Sequence, residues 1–361
     1  MTENERKNFF ESLARPAIRG LEPYDASTIE SPEIRLSANE NNEGVPRAAL
    51  EAMRAALKEG NRYPDSRNGA LREKLAARFA VRAEQIITSN GLDGFFTMLG
   101  RAFLDPGDEV ICSECTFGVY ADTARIAGAT VKKVALNESW EQEPASFAAA
   151  VSPASKMLFF CNPNNPTGTL APADELRGML RAIPQRVIVV LDEAYIDFTE
   201  EDTTASFKML EEFPNLIICR TFSKIFALAG LRVGWAAADP GLLDCLYRVR
   251  EPYCVTAAAE AGAIAAAEAP EETAAAARRC AREREKLCAL FAERGLRFIP
   301  SLTNFILVFP GEKYEKLATA FAGASIAVRS LAPRGERAMR ISVGTPKENR
   351  RVEEVVRNVL S

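Results

Sequence analysis

Hydrophobic residues along the chain form short continuous runs, which alternate with longer segments whose apolar residues recur at helical spacing. Continuous apolar runs are typical of strands that are covered on both faces, as in a parallel sheet. They predict strands at 85–89, 109–112, 156–161, 186–191, 216–219 and 233–237, and 130–134, which contains two lysines, is expected to form a further strand. Helical spacing predicts helices at 46–59, 70–80, 95–103, 257–267 and 273–293, with another that ends at Gly128. This alternation predicts an α/β fold with a mostly parallel central sheet flanked by helices.

The pattern changes towards both ends of the chain. Residues 1–44 are polar and rich in turn formers, which is typical of an arm or connector. Beyond Gly295, strands at 305–309 and 339–343 combine with helices at 312–321 and 347–360. We therefore expect three parts: an N-terminal arm that forms part of a small domain (1–44), a large domain (45–269), and a smaller α+β domain (270–361).

Composition and charge narrow the class of partner. The chain has 361 residues, 47% hydrophobic and 26% charged, which is typical of a globular protein large enough for more than one domain. Its net charge of −4 provides no basic field to attract nucleic acid or an anionic membrane. The N-terminus is charged and no apolar stretch reaches membrane-spanning length, so we expect a cytoplasmic protein.

The sequence contains no histidine, which excludes Ser-His-Asp and Cys-His nucleophile systems and histidine-ligated metal sites. Cys112 and Cys115 form one C-x-x-C pair, a weak signal without a second pair, so no metal site is expected. Neither a G-x-G-x-x-G motif nor a P-loop motif occurs. Proton transfer must therefore use lysine, carboxylate, tyrosine or cysteine.

Polar side chains follow several predicted strands at their carboxyl ends, where sites form in open α/β sheets. Asp192 follows the strand at 186–191, and a buried carboxylate is costly unless it is paired with a cation. Residues 162–168 form a rigid loop with asparagine side chains. The turn at 90–94 precedes a helix and can hold a phosphate, although a plain strand-to-helix turn has the same pattern.

Lys224 lies in the segment 221–232, directly after the predicted strand at 216–219. Burial and nearby cations lower the pKa of an amine, which suits a lysine nucleophile beside an anion site. An ordinary strand-to-helix junction with an exposed lysine is the alternative interpretation of this segment alone.

One cofactor accounts for all these groups. Pyridoxal phosphate needs a lysine that forms an imine and an anionic partner for its ring nitrogen. Lys224 and Asp192 provide these two groups. The other expected contacts are Tyr195 and Asn165 for the ring oxygen, Phe117 for stacking, and Thr221, Ser223, Arg232 and the amides after Asn90 for the phosphate.

Several motifs, in this order and spacing, resemble those of one enzyme family. They are Pro23-Tyr24-Asp25, Asn39-Glu40-Asn41, Arg62-Tyr63-Pro64-Asp65, Asn162 to Gly168, Asp192-Glu193-Ala194-Tyr195, Thr221 to Gly234, Thr303-Asn304-Phe305 and Arg340 to Gly344. The chain resembles the fold-type I pyridoxal-phosphate aminotransferases, and within them the histidinol-phosphate aminotransferases, over nearly its whole length. It departs from the family pattern at Asn42-Glu43, where proline usually follows the turn, and at Gly94, where glutamate is usual.

The resemblance implies roles for individual residues. Lys224 would bind pyridoxal 5'-phosphate covalently and then move a proton, Asp192 would keep the ring nitrogen protonated, and Tyr195 would hold the ring oxygen. The other implied cofactor contacts are Gly91, Leu92, Asp93, Phe117, Asn165, Thr221, Ser223 and Arg232. The resemblance also implies a homodimer with shared active sites, in which Tyr63 reaches the cofactor phosphate of the other subunit.

The implied substrate contacts are Tyr24, Asn304, Arg329 and Arg340. A guanidinium pair suits either a phosphate or the distal carboxylate of glutamate. The implied reaction moves an amino group between histidinol phosphate and 2-oxoglutarate, in histidine biosynthesis. Three alternatives stay open: an aromatic-amino-acid transaminase, a threonine-phosphate decarboxylase of the same fold, and a non-catalytic pyridoxal-phosphate sensor.

Overall fold

Two sheets organise the chain in the computed structural model, which describes residues 1–19, 21, 23 and 30–360. The strands are β1 (Ile34–Leu36), β2 (Ile86–Ser89), β3 (Glu109–Ser113), β4 (Thr130–Val134), β5 (Ser155–Cys161), β6 (Ile188–Asp192), β7 (Leu216–Thr221), β8 (Gly234–Ala238), β9 (Arg297–Ile299), β10 (Phe305–Phe309), β11 (Ile326–Leu331) and β12 (Ala338–Ser342). The helices are α1 (Glu3–Leu13), α2 (Arg47–Ala56), α3 (Gly69–Phe79), α4 (Leu92–Phe103), α5 (Val119–Ala127), α6 (Pro144–Ala149), α7 (Ala173–Ala182), α8 (Pro240–Tyr247), α9 (Ala257–Ala267), α10 (Pro270–Glu293), α11 (Tyr314–Gly323) and α12 (Pro346–Val359).

The large sheet has the strand order β2-β8-β7-β6-β5-β3-β4. Only β8 runs against its neighbours, so the prediction of an α/β fold with a mostly parallel sheet is confirmed. Successive side chains of a strand point to opposite faces. Accordingly, Val189 and Leu191 of β6 join one hydrophobic cluster, while Ile188 and Val190 join the cluster on the other face. This two-sided burial explains the continuous apolar runs in the sequence.

Three adjacent parallel strands bring distant segments together at one edge of the large sheet. In the register, Cys161 of β5 lies beside Asp192 of β6, which lies beside Cys219 of β7. The loops that follow these strands therefore emerge side by side. They include the loop at 162–168 and the segment that contains Lys224.

The small sheet has the strand order β1-β11-β12-β10-β9. Its first strand comes from the N-terminal segment and pairs in parallel with β11, a strand that the polar, turn-rich pattern of 1–44 did not predict. That segment also contains α1, whose start is stabilised by a capping box between Thr2 and Glu5. The turn-forming residues of this segment obscured the capping box of α1 in the sequence analysis. The strand β1 was missed because a strand of three residues depends on its neighbour for stability. The proposed domain boundaries stay a prediction.

The sequence analysis also missed α6, α7, α8, β9 and β11. Several of them bury large apolar side chains, such as Phe147 in α6 and Leu243 in α8. Within the described residues, no helix has the length and apolar character needed to cross a membrane.

Candidate active site

Lys224 lies in the loop after β7 and is half-buried. Its Nζ donates a hydrogen bond to the carbonyl of Ala38 at 3.0 Å and lies 5.8 Å from the ring centroid of Tyr195. Burial, and then the positive charge of Arg340, lower the pKa of this amine from 10.5 to about 8. A substantial fraction of the amine is therefore neutral just above neutral pH, the form that attacks a carbonyl carbon.

Asp192 ends β6 on the face that carries Tyr120 of α5. The hydroxyl of Tyr120 donates to Asp192 Oδ2 at 2.5 Å, and the N–H of Ala194 donates to Oδ1 at 2.9 Å. Burial raises the pKa of this carboxyl from 3.8 to about 6, and the two hydrogen bonds oppose that rise. Asp192 is therefore mainly ionised at neutral pH, in a place where a cationic partner would stabilise it further.

Tyr195 presents a buried hydroxyl close to these two groups. Its ring packs edge-to-face on Phe305 of β10, with centroids 5.1 Å apart. The side-chain amide of Asn39 donates to its hydroxyl oxygen at 3.0 Å. Burial raises the pKa of the phenol, so the hydroxyl keeps its proton and acts as a donor.

A tight turn precedes α4 at the edge of the site. Gly91 has φ of +85°, and a Cβ at this position would overlap the guanidinium of Arg232. The first N–H groups of a helix have no partner within the helix and lie at the positive end of its dipole. Because Gly91 has no side chain, the guanidinium can lie against the turn, where it and the backbone donors can bind an anion together.

Two hydroxyls and one carboxylate surround this turn. Thr221 Oγ1 lies 2.9 Å from Ser223 Oγ, which in turn lies 3.5 Å from Arg232 Nη1. The other terminal nitrogen of Arg232 lies 3.4 Å from Asp93 Oδ2. The structure therefore brings together five of the residues predicted to bind phosphate: Gly91, Asp93, Thr221, Ser223 and Arg232, with Leu92 as the first residue of α4.

Arg340 of β12 joins the small sheet to the loop at 162–168. One terminal nitrogen donates to Asn165 Oδ1 at 2.6 Å, and the other donates to the carbonyl of Ser37 at 2.7 Å. Arg329 of β11 stands directly opposite Arg340, so both side chains leave the same face of the small sheet. Two guanidinium groups on one face of the sheet provide donors that suit a phosphate or a carboxylate.

The remaining predicted contacts fall in different places. Phe117 is half-buried and lies edge-to-face with Tyr120, with centroids 5.7 Å apart. Tyr63 is 82% exposed, and its ring stacks on that of Tyr253 at 4.5 Å. Tyr24 lies outside the described residues. Tyr63 is therefore a surface residue of this chain, where a second subunit can reach it.

Asn304 is only 2% exposed, and its side chain forms hydrogen bonds to the backbone. Its Nδ2 donates to the carbonyls of Asn39 and Glu40 at 3.0 and 3.3 Å. The predicted substrate contact therefore supports the turn that begins at Asn39. The same turn is tied to α12, because Asn42 donates to Glu348 at 2.9 Å.

At Gly94, the other departure from the family pattern, a Cβ would overlap the side-chain oxygen of Asn90. Glycine at this position therefore leaves room for the asparagine side chain against the start of α4.

Sequence reasoning missed the side chains that support the site. Tyr120, the partner of Asp192, lies 72 positions away along the chain, and no local pattern in the sequence links the two residues. Glu193 was noted as part of a motif, without a role. In the structure it forms a buried ion pair with Arg220 at 2.5 Å and accepts a hydrogen bond from Ser206 at 3.0 Å. This pair lies on the opposite side of β6 from Tyr120, because successive residues alternate.

The fold and these side chains define a lysine-dependent enzyme of the α/β class with an anion cradle at a helix start. Residues 31–356 match the family model for aminotransferase class I and II, and the chain belongs to this family. It is 36% identical to histidinol-phosphate aminotransferase 2 of Pseudomonas fluorescens, with 98% of each chain covered. It is 35% identical to an aromatic amino acid aminotransferase of Mycobacteroides abscessus, covering 93% of this chain and 95% of the relative.

The fold also matches a crystal structure of histidinol-phosphate aminotransferase from Sinorhizobium meliloti in complex with pyridoxal-5'-phosphate. The TM-score is 0.89 at 26% identity, covering 96% of this chain and 98% of that one. The predicted family and its fold are thus confirmed.

Pyridoxal phosphate is the cofactor of this family, and the side chains of this chain fit it at three points. Asp192 is a buried carboxylate suited to a ring cation, and Lys224 is an amine with a lowered pKa. The turn at Gly91 has the glycine and the guanidinium that a phosphate needs. These three features lie at the ends of separate strands, as expected for one ligand that spans the edge of the sheet.

Proposed function

We propose that the protein transfers an amino group between L-histidinol phosphate and 2-oxoglutarate, giving imidazole-acetol phosphate and glutamate, in the cytoplasm. The observation that carries this proposal is the pair of arginines on β11 and β12, next to the lysine and carboxylate of the cofactor site. The names of the relatives from P. fluorescens and S. meliloti support the same choice.

When bound, the cofactor supplies the electron sink that allows a proton to leave the substrate carbon. We propose that Asp192 holds the ring nitrogen in its protonated form, because an ionised buried carboxylate favours a cation beside it. Tyr195 and Asn165 orient the ring through its oxygen, and Phe117 covers one face. Lys224 would take the proton from the substrate carbon and deliver it to the cofactor carbon C4′, which suits an amine whose pKa is about 8.

The two arginines explain how one pocket can serve two substrates in turn. A guanidinium forms two parallel hydrogen bonds to either a phosphate or a carboxylate. Arg329 and Arg340 leave the same face of the small sheet, and Arg340 already contacts Asn165. The phosphate of histidinol phosphate and the distal carboxylate of 2-oxoglutarate would therefore occupy the same position. Tyr24 and Asn304 complete the proposed substrate contacts.

We also propose a homodimer in which Tyr63 binds the cofactor phosphate of the other subunit. Its large exposed ring, stacked on Tyr253 rather than packed in the core, supports this role. Subunits with Lys224→Ala can be mixed with subunits with Tyr63→Ala to test it. Each mixed dimer would then contain one site with both native residues, so activity should return to a fraction of the wild-type value. Mixing that restores no activity would contradict shared sites.

The substrate proposal is tested by an amino-donor assay with purified protein and added cofactor. Histidinol phosphate, phenylalanine and threonine phosphate are compared at equal concentration with 2-oxoglutarate as acceptor. We expect the highest kcat/KM with histidinol phosphate, with glutamate as product and no carbon dioxide released. Preference for phenylalanine would favour an aromatic transaminase, to which the M. abscessus relative lends weight. Carbon dioxide from threonine phosphate would favour the decarboxylase.

A control separates substrate choice from cofactor binding. Wild-type protein should show visible absorbance from lysine-bound cofactor and should retain the cofactor after borohydride reduction, denaturation and dialysis, whereas the Lys224→Ala variant should retain none. Wild-type protein that stays colourless with added cofactor would refute the enzyme assignment itself. Visible absorbance without turnover of any of the three donors would favour a sensor.

A further inference from the structure

The side chain of Asn39 forms a hydrogen-bonded link between the two sheets at the active site. Asn39 lies just after β1, is 1% exposed and has φ of +55°, a left-handed conformation that asparagine tolerates well. Its Nδ2 donates to the Tyr195 hydroxyl at 3.0 Å, and its Oδ1 lies 3.2 Å from the hydroxyl of Ser342. Tyr195 follows the central strand of the large sheet, whereas Ser342 ends β12 of the small sheet.

The hydrogen bonds around Ser342 fix which end of the Asn39 amide faces Tyr195. The backbone N–H of Asn39 donates to Ser342 Oγ at 3.0 Å. The Ser342 hydroxyl then donates its own proton to Asn39 Oδ1. The NH₂ group of the amide is left to face Tyr195, and Asn304 holds the backbone carbonyl of Asn39 in place. All four side chains are buried.

The orientation of the Asn39 amide determines where the hydroxyl proton of Tyr195 points. A hydroxyl oxygen that accepts a hydrogen bond on one side turns its own proton elsewhere. With Asn39 as the donor, the proton of Tyr195 points away from the small sheet and is free for an acceptor in the site.

We propose that Asn39 is a positioning residue that orients the hydroxyl proton of Tyr195 towards the ring oxygen of the cofactor. The inference rests on the proposed function, since it requires the cofactor to lie between Lys224 and Asp192. Because Asn39 is also hydrogen-bonded to Ser342 of β12, the orientation of the Tyr195 hydroxyl depends on the position of the small sheet.

The test uses the pH titration of the visible absorbance of lysine-bound cofactor, which does not require turnover. A hydrogen-bond donor stabilises the anionic ring oxygen and so lowers the pKa at which this chromophore gains its proton. The titratable groups that act on Tyr195 are Arg340, Cys161 and Asp192, with Lys224 Nζ 5.8 Å from its ring centroid, and all four residues are unchanged in the variants. Any change in the titration then reports on the phenol and its partner.

Asn39→Asp keeps the shape of the side chain but presents an acceptor to the phenol when ionised. We expect it to raise the pKa of the chromophore by about one unit, a tenfold change in proton affinity. Tyr195→Phe should give a similar rise, and Asn39→Asp should then add little in the Tyr195→Phe background. Asn39→Gly, which retains the left-handed backbone, should give a smaller rise and covers the case in which the aspartate variant does not fold.

Asn41→Asp is the matched control, because Asn41 lies in the same turn but donates to the carbonyl of Ile225 at 2.9 Å. It places the same charge nearby without touching the phenol, so its shift should be clearly smaller. An equal shift from Asn41→Asp, or an undiminished shift of Asn39→Asp in the Tyr195→Phe background, would overturn the role of Asn39. Wild-type protein without visible absorbance would overturn the proposed function as well.

Discussion

Replacing Tyr120 by Phe removes one hydroxyl from beneath the cofactor site and leaves the ring in place. The ring stacks on Phe159 with centroids 4.6 Å apart and an interplanar angle of 7°, contacts that phenylalanine can reproduce. The lost interaction is the 2.5 Å hydrogen bond to Asp192 Oδ2, between two buried groups. The variant should therefore change the electrostatics of Asp192 far more than the packing of the core.

The size of the effect follows from the value of a hydrogen bond to a charged group. Such a bond contributes about 1.5–3 kcal/mol, and one pKa unit corresponds to about 1.4 kcal/mol. Loss of the Tyr120 hydroxyl should thus raise the pKa of Asp192 by about one to two units, from its present value of about 6. At neutral pH the carboxyl would change from mainly ionised to half or more protonated, and it would pair less well with a ring cation.

Cofactor affinity measures this change directly. We expect the Kd of Tyr120→Phe for pyridoxal phosphate to rise about two- to tenfold at pH 7, because the ionised fraction of Asp192 falls from about 0.9 to between about 0.5 and 0.1. Because the carboxyl ionises in both proteins at high pH, the difference should shrink towards pH 9. The assay is a titration of apo-protein with cofactor at several pH values, followed by visible absorbance. Tyr247→Phe, which loses a 3.3 Å hydrogen bond to a backbone carbonyl, is the control. An equal loss of affinity at all pH values would refute the reasoning.

Three further predictions concern the amine, the anion position and the core. The rate of covalent cofactor attachment to apo-protein should rise with pH and level off above about 8, since the pKa of Lys224 is lowered from 10.5; a rise that continues towards pH 10 in stopped-flow absorbance would contradict this. Arg340→Ala should raise KM for both the amino donor and 2-oxoglutarate, and a rise for only one substrate would show that the position is not shared. Glu193→Ala should lower the free energy of unfolding by about 3–5 kcal/mol, because it leaves Arg220 charged and unpaired in the core. Urea unfolding checks the value, and Glu354→Ala, at an exposed ion pair, should cost far less.

Much of the fold could be predicted because its large sheet is covered on both faces. Strands that are buried on both faces appear in the sequence as continuous apolar runs, and each was found within a few residues of its observed bounds. The edge strand β4 is the exception, because it contains two lysines and is largely not buried. The small sheet was predicted less completely. Its edge strand β1 has three residues and depends on pairing with β11, and such pairing leaves no local pattern.

The residues of the site likewise divide into those that the sequence could predict and those that it could not. Lys224, Asp192 and the turn at Gly91 lie at strand ends, and their residue types alone suggested the chemistry. Tyr120 and Asn39 act on Asp192 and Tyr195 across 72 and 156 positions of the chain. A tyrosine inside a helix and an asparagine in a turn are ordinary residues until the fold places them. Contacts of this kind could not be inferred from one sequence.

Because the sequence contains no histidine, other groups determine how the site responds to pH. The hydrogen-bond donors that contact Asp192 and Tyr195 are the phenol of Tyr120, the side-chain amide of Asn39 and the backbone N–H of Ala194. Burial raises the pKa of Tyr120 well above its ordinary value, and the charge of Asp192 raises it further, so this donor keeps its proton across the physiological range. Before cofactor binds, the described groups of the site that titrate near neutral pH are Asp192, at about 6, and Lys224, at about 8. Cofactor attachment should therefore reach its maximal rate once the carboxylate and then the amine have lost their protons, and no further titrating group of the chain is needed to explain that profile.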